Sequence, residues 1–147
     1  MAPPATGSDH GRSLRIPASF CGVVGHRARP GTVPNEARTI TQTNYSLQGP
    51  MGRTVDDVAL LLAVISTRDR ASRQDPMSFP LDSFSFLDLV PPSVEGLRIG
   101  VTAEFGGLLV SDHVRGEFEE RVTYLGERGA ARSGLSLDLT QAVALGW

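Results

Sequence analysis

The sequence contains no lysine, because all 14 of its basic residues are arginine. A lysine general base or a lysine Schiff base is therefore excluded for these 147 residues by themselves. Cysteine is nearly absent as well. Cys21 stands alone and cannot form an internal disulfide, which predicts a reducing, cytoplasmic location.

Long apolar runs and a strong charge of one sign are also missing. No run of about 18 apolar residues occurs, so we expect neither a membrane-spanning helix nor a membrane partner. The formal net charge is -2, far from the basic field of proteins that bind nucleic acids, so no nucleic-acid partner is expected. A length of 147 residues favours one domain.

Two stretches of the first half show local order. The apolar run at residues 16–24 predicts a buried segment, strand-like from residue 20 onward. Gly49 and Pro50 indicate a turn before a helix over residues 54–65. Thr54 and Asp57 form a capping-box pattern at its start, and its apolar residues lie nearly all round, which predicts burial on most sides.

The second half predicts a strand followed by a helix. Residues 97–101 resemble a short strand, and residues 112–128 form an amphipathic pattern with Asp112 as its cap and Gly129 just past its end. Residues 66–92 are a polar, proline-containing connection. Strand followed by helix predicts the α/β fold class.

A glycine-bearing loop presents Ser13 at the entry to a helix, because Pro17 suits the first helical turn of the segment that follows. The backbone N–H groups of such a loop can converge on an oxyanion, which is the geometry that acyl-transfer catalysis requires. Taken by itself, the loop is equally compatible with a solvated turn and a capping serine.

Three stretches share residues with one known pattern. The first contains Gly7, Ser8, Asp9, Gly11, Ser13, Leu14, Arg15, Pro17, Ala18, Cys21, Gly22, Val23 and Gly25. The second contains Arg27, Gly31, Val33 and Pro34, and the third contains Gly49, Pro50, Met51, Gly52, Arg53, Thr54, Val55 and Asp57. In combination they resemble the amidase signature family over about residues 5–129.

The resemblance implies hydrolysis of carbon–nitrogen (amide) bonds by serine acyl-enzyme chemistry. It places Ser13 at the nucleophile and the backbone of His10, Gly11, Arg12 and Ser13 at the oxyanion hole. Beside the resemblance, the charges of Asp9 and Arg15 favour a structural pair, with contact between Arg15 and a substrate carboxylate as the alternative. The substrate class would be a small-molecule amide, with no cofactor and no metal, and a homo-oligomer is compatible with this assignment.

The fold implied is a fragment of the amidase-signature α/β/α fold with a mixed sheet. Residues 1–147 would be a partial amidase domain, in which the match is strongest over 5–65, weaker over 66–129 and unclear over 130–147. The family relays the nucleophile's proton through a second serine to a neutral lysine. Neither partner precedes Ser13 here, and Arg12 replaces a glycine of the family pattern.

Other chemistries fit less well. His10 and Asp9 share one loop with Ser13 and are poorly spaced for a Ser-His-Asp triad. The three histidines lack metal-ligand spacing, and Cys21 is interpreted as a small buried apolar residue. Two hypotheses remain: a truncated or degenerate amidase that is inactive as this chain alone, and a non-catalytic remnant or binding module.

Overall fold

The computed structural model describes residues 3–35, 45–66, 75–88 and 93–139. The chain falls into two compact units, Met1–Val90 and Pro91–Trp147. In the ranges described, every helix is too short or too polar to cross a membrane.

The first unit contains a three-stranded antiparallel sheet with β3 at its centre. Its strands are β1 (Ala5–Asp9), β2 (Val24–Gly25) and β3 (Leu47–Gly52), in the order β1-β3-β2. The register places Asp9 opposite Leu47, at the end of β1. The sheet therefore fixes the point at which the chain leaves β1 and enters the serine loop.

The turn expected at Gly49 and Pro50 is wrong, because both residues lie inside β3. A Cβ atom at position 49 would lie 2.0 Å from the His26 carbonyl oxygen, so glycine is needed where two backbones approach closely. The Pro50 carbonyl accepts a hydrogen bond from the His26 N–H at 3.0 Å. The glycine thus serves close strand packing and not chain reversal.

A short helix, α1 (Arg15–Cys21), follows the serine loop and ends at Gly22 in the left-handed region, with φ 62°. The prediction of a buried, strand-like run at residues 16–24 is wrong over α1, since Phe20 is 89% exposed and Cys21 is exposed, and only Val24 at its end lies in a strand. Leu14 and Ala18, one helical turn apart, are the residues that pack inward. A short apolar run has too few periods to distinguish a one-sided helix from a strand.

The second helix, α2 (Val55–Ile65), begins with the capping box that the sequence predicts. The Asp57 N–H donates to the Thr54 hydroxyl at 3.1 Å, and the Thr54 N–H donates to the Asp57 carboxylate at 3.2 Å. The prediction that α2 is buried on most sides is wrong, however, because Leu60 and Val64 are 55% and 62% exposed. Only one stripe of the helix packs inward; its buried residues are Val58, Ala59, Leu62 and Ala63.

The inward face of α2 contributes to a small apolar core. Leu62 packs with Ala28 and Val33, and Ile65 and Phe86 lie against this cluster. Phe86 comes from a 3₁₀ helix, Ser83–Leu87, within the connection between the two predicted halves. Residues 67–74 and 89–92 of that connection lie outside the described residues.

The second unit is a strand–helix–strand arrangement. Strand β4 (Arg98–Val101) pairs in parallel with β5 (Ala131–Gly134), and helix α3 (Asp112–Glu127) connects them. The predicted strand and helix are confirmed, although Ser111 and not Asp112 is the N-cap. Gly129, with φ 92°, ends the helix as predicted. Parallel strands require such a crossover, so this unit is α/β in its own right.

Candidate functional site

Ser13 lies on an exposed turn between the end of β1 at Asp9 and the start of α1 at Arg15. The sequence predicts this placement of the serine, on a loop that enters a helix. Arg12, the residue before it, has φ 75°, in the left-handed region that favours glycine. The Arg12 carbonyl accepts the Ile16 N–H at 2.9 Å, so the first turn of the helix begins at the loop itself.

The side chain of Asp9, which is fully buried, holds this turn through hydrogen bonds. Its carboxylate accepts the Arg12 N–H at 2.8 Å and the Leu14 N–H at 3.3 Å. The Arg15 guanidinium donates to both carboxylate oxygens, with Nε at 3.0 Å and Nη2 at 3.2 Å. A two-point contact of this kind fixes orientation as well as charge. The structural pairing of Asp9 with Arg15 therefore agrees with the sequence interpretation.

The hydrogen bond from Arg15 lowers the pKa of Asp9 to about 2, against the opposing effect of burial. Two backbone N–H groups add to this effect, since each stabilises the ionised form. Asp9 is therefore a carboxylate at neutral pH and acts as an acceptor only. It cannot serve as a proton donor to a leaving group in that range.

A second cation, Arg27, reaches the same carboxylate. Its Nε lies 3.7 Å from Asp9 Oδ1, and its Nη2 donates to the Tyr45 carbonyl at 3.3 Å. The Tyr45 ring meets the His10 ring edge-on at 6.3 Å. Sequence reasoning identifies Arg27 only as part of a turn pattern and misses this contact. A buried carboxylate needs cations close to it, so the burial of Asp9 would have indicated that a second arginine lies nearby.

The backbone donors of the turn divide into two groups. The Arg12 N–H points at Asp9 and is already used inside the protein. In the ranges described, neither the Gly11 N–H nor the Ser13 N–H donates to an intramolecular acceptor. Oxyanion roles for His10, Gly11, Arg12 and Ser13, and the nucleophile role of Ser13, stay predictions.

An open groove of about 890 Å³ lies elsewhere on the first unit. Pro17, Cys21 and Met51 are among the residues that line it, and Ser13 is not. No predicted site residue contributes to this groove. Among the residues described, no three His, Cys, Asp or Glu side chains form a group that could hold a metal ion.

Known proteins are similar to this chain in sequence and in fold over most of its length. A glutamyl-tRNA(Gln) amidotransferase subunit from Sulfurihydrogenibium sp. (strain YO3AOP1) is 34% identical over 141 residues, covering 96% of this chain and 28% of that relative. A bacterial aryl acylamidase of the amidase signature family is similar in structure, with TM-score 0.78, 29% identity, and coverage of 95% of this chain and 28% of that one. The native peptide amidase from Stenotrophomonas maltophilia gives TM-score 0.75 and 27% identity, over 98% of this chain and 29% of that one.

Fold and loop together define a class, the mixed α/β proteins that present a serine on a glycine-containing turn between a strand and a helix. The family model for Amidase matches residues 1–142. The chain therefore belongs to the amidase signature family, as its motifs indicate. It spans little more than a quarter of the length of the relatives it matches, for example 28% of the Sulfurihydrogenibium protein.

Proposed function

We propose that this chain is the nucleophile-bearing segment of an amidase that cleaves the carbon–nitrogen bond of a small-molecule amide. The observation that carries the proposal is the turn at Ser13. The serine is exposed, and a buried carboxylate holds the backbone on either side of it. The N–H groups of Gly11 and Ser13 are left without intramolecular acceptors in the ranges described, so they can bind a ligand oxygen.

The chemistry follows from this arrangement. Ser13 Oγ would attack the amide carbonyl carbon, and the carbonyl oxygen would become an oxyanion held by the turn's N–H groups. The carbon–nitrogen bond then breaks, the amine leaves with a proton, and an acyl-enzyme ester remains on Ser13. Water attacks this ester, releases the carboxylic acid and returns the proton to the serine.

A base has to take the serine proton, and these 147 residues do not supply a lysine for that step. Arginine cannot replace it, because its guanidinium stays protonated in proteins. Loss of a general base typically slows such reactions about 10²–10⁴-fold. The relay of serine and lysine that the family resemblance implies must therefore come from residues other than these.

The test is a chimera with the bacterial aryl acylamidase, whose matching segment is replaced by this chain. The readout is hydrolysis of an aryl acylamide. We expect turnover that Ser13→Ala reduces at least about 10³-fold. Ser19→Ala, at an exposed position on α1, is the matched control and should leave the rate unchanged. The 147-residue chain alone should hydrolyse neither an amide nor an activated ester in a Ser13-dependent way.

A second candidate function is a remnant that binds without catalysing. Arg12 favours it, because a guanidinium side chain stands where the family pattern has glycine, at φ 75°. A folded chimera that is inactive, both as it stands and with Arg12→Gly, would support this alternative. Activity that appears only with Arg12→Gly would instead identify Arg12 as the cause of a degenerate site.

A further inference from the structure

Arg27 differs from an ordinary surface arginine in the burial of part of its guanidinium. Its Nε is buried and makes no hydrogen bond. Burying a charged donor without a hydrogen-bond partner costs free energy unless a charge of opposite sign compensates. The compensating charge here is Asp9, 3.7 Å away and fully buried. The position of the guanidinium is therefore governed by this carboxylate.

Arg15 and Arg27 contact the same carboxylate from different parts of the chain. Arg15 lies six residues after Asp9, at the start of α1 on the far side of the turn. Arg27 lies just after β2, and it also donates to the Tyr45 carbonyl shortly before β3. Arg15 therefore closes the turn locally, whereas Arg27 connects the turn to the segments beside two other strands.

The Tyr45 contact extends this connection to the other side of the turn. Its ring packs edge-on against His10, the first residue after β1. One guanidinium thus contacts the carboxylate that receives the Arg12 N–H and the residue that packs against His10. These two contacts lie on either side of Gly11, whose N–H we assign to the ligand.

We infer that Arg27 is a positioning residue, which acts through Asp9 and Tyr45 to set the direction of the N–H groups from His10 to Ser13. Its catalytic consequence rests on the proposed function, but its effect on the turn does not. Loss of Arg27 should leave Asp9 held by Arg15 and let the turn move relative to the sheet. Because Asp9 then loses its second cation and the turn loses its link to Tyr45, the hydrogen bond from the Arg12 N–H to Asp9 should open more often.

The test is amide hydrogen exchange measured by NMR on the full 147-residue chain, without substrate. Arg27→Gln should speed exchange of the Arg12 N–H about tenfold or more and move its ¹⁵N resonance. The Leu62 N–H in α2 should change little, which separates a local effect from general destabilisation. Arg27→Lys keeps the charge near Asp9 but cannot contact Asp9 and Tyr45 through one planar fork, so it should restore protection only in part. Arg53→Gln, at an exposed position of the same unit, should change neither amide.

Equal acceleration at Arg12 and Leu62, or no change at Arg12 with Arg27→Gln, would overturn the inference. If neither Arg27 variant folds, the unmodified chain gives the answer. Its Arg27 Nε–H should then exchange with solvent more slowly than the Nε–H of Arg53, and equal exchange would refute the assignment. Because no readout uses substrate, an inactive chimera would count against the proposed function and leave the positioning role standing.

Discussion

Replacing Arg12 by glycine should stabilise the protein. The backbone at Arg12 has φ 75°, and a left-handed residue with a side chain costs roughly 1–2 kcal/mol. Glycine removes that cost but loses about 0.5–1 kcal/mol more conformational entropy on folding. The hydrogen bond from this residue to Asp9 uses the backbone N–H, so the substitution keeps it. With the middle of each range, the net expected gain is about 0.75 kcal/mol.

Two controls separate backbone strain from side-chain effects. Arg12→Ala removes the guanidinium but keeps a Cβ atom at the same φ, so it should bring no comparable gain. Gly22→Ala is the reverse experiment, because Gly22 has φ 62° and an added Cβ would meet no atom within 4 Å. The loss there reports the conformational cost alone, and we expect about 1 kcal/mol.

The assay is urea unfolding followed by far-ultraviolet circular dichroism, at a protein concentration low enough to exclude association. Arg12→Gly should move the midpoint upward at unchanged slope, and Gly22→Ala should move it downward. If Arg12→Gly and Arg12→Ala shift the midpoint equally, the gain comes from the lost side chain and the strain argument fails. A neutral Gly22→Ala would refute the magnitude used for both sites.

Three further predictions concern other residues. The folded-state pKa of Asp9 is about 2, below the ordinary value of about 3.9, so its contribution is complete above about pH 4–5 and is lost as the pH falls through 2. The free energy of unfolding, measured as a function of pH, should fall by about 2 kcal/mol over this range. The Asp9→Asn variant should not show this fall. Thr54→Ala should cost about 1 kcal/mol by removing the α2 cap, whereas Thr54→Ser should stay close to the original in the same urea assay. Phe20 is 89% exposed, so Phe20→Ser should reduce concentration-dependent association in sedimentation velocity, and an unchanged profile would exclude Phe20 from any self-contact.

Local signals explain the parts of the fold that the sequence predicts well. The capping box of α2 depends on Thr54 and Asp57, three residues apart, and needs no distant partner. The end of α3 depends on Gly129, whose φ of 92° suits glycine. Both helix ends are determined by residues within one helical turn, so the local sequence is nearly sufficient to predict them.

Distant contacts decide what the sequence does not predict. Whether Phe20 is buried depends on which elements pack on α1, and an apolar run does not specify them. Gly49 occurs in a dipeptide typical of turns, yet its pairing with Gly7 of β1 places it inside a strand. Arg27 lies 18 residues from Asp9 along the chain, and only the pairing of β2 and β1 with β3 brings the two together.

The candidate site shows the same division within a single turn. Its serine and its Asp9–Arg15 pair lie within seven residues, and the resemblance to the amidase signature family finds them from sequence. The connection of that turn to the sheet, through Arg27 and Tyr45, becomes visible only in the fold. Both parts hold the turn in place, and neither supplies a lysine to take the Ser13 proton. Under the proposed function, this chain therefore contributes a preorganised oxyanion turn, while proton transfer depends on residues outside it. Substitutions at Arg27 should consequently change how well the transition state is held and leave the identity of the base untouched.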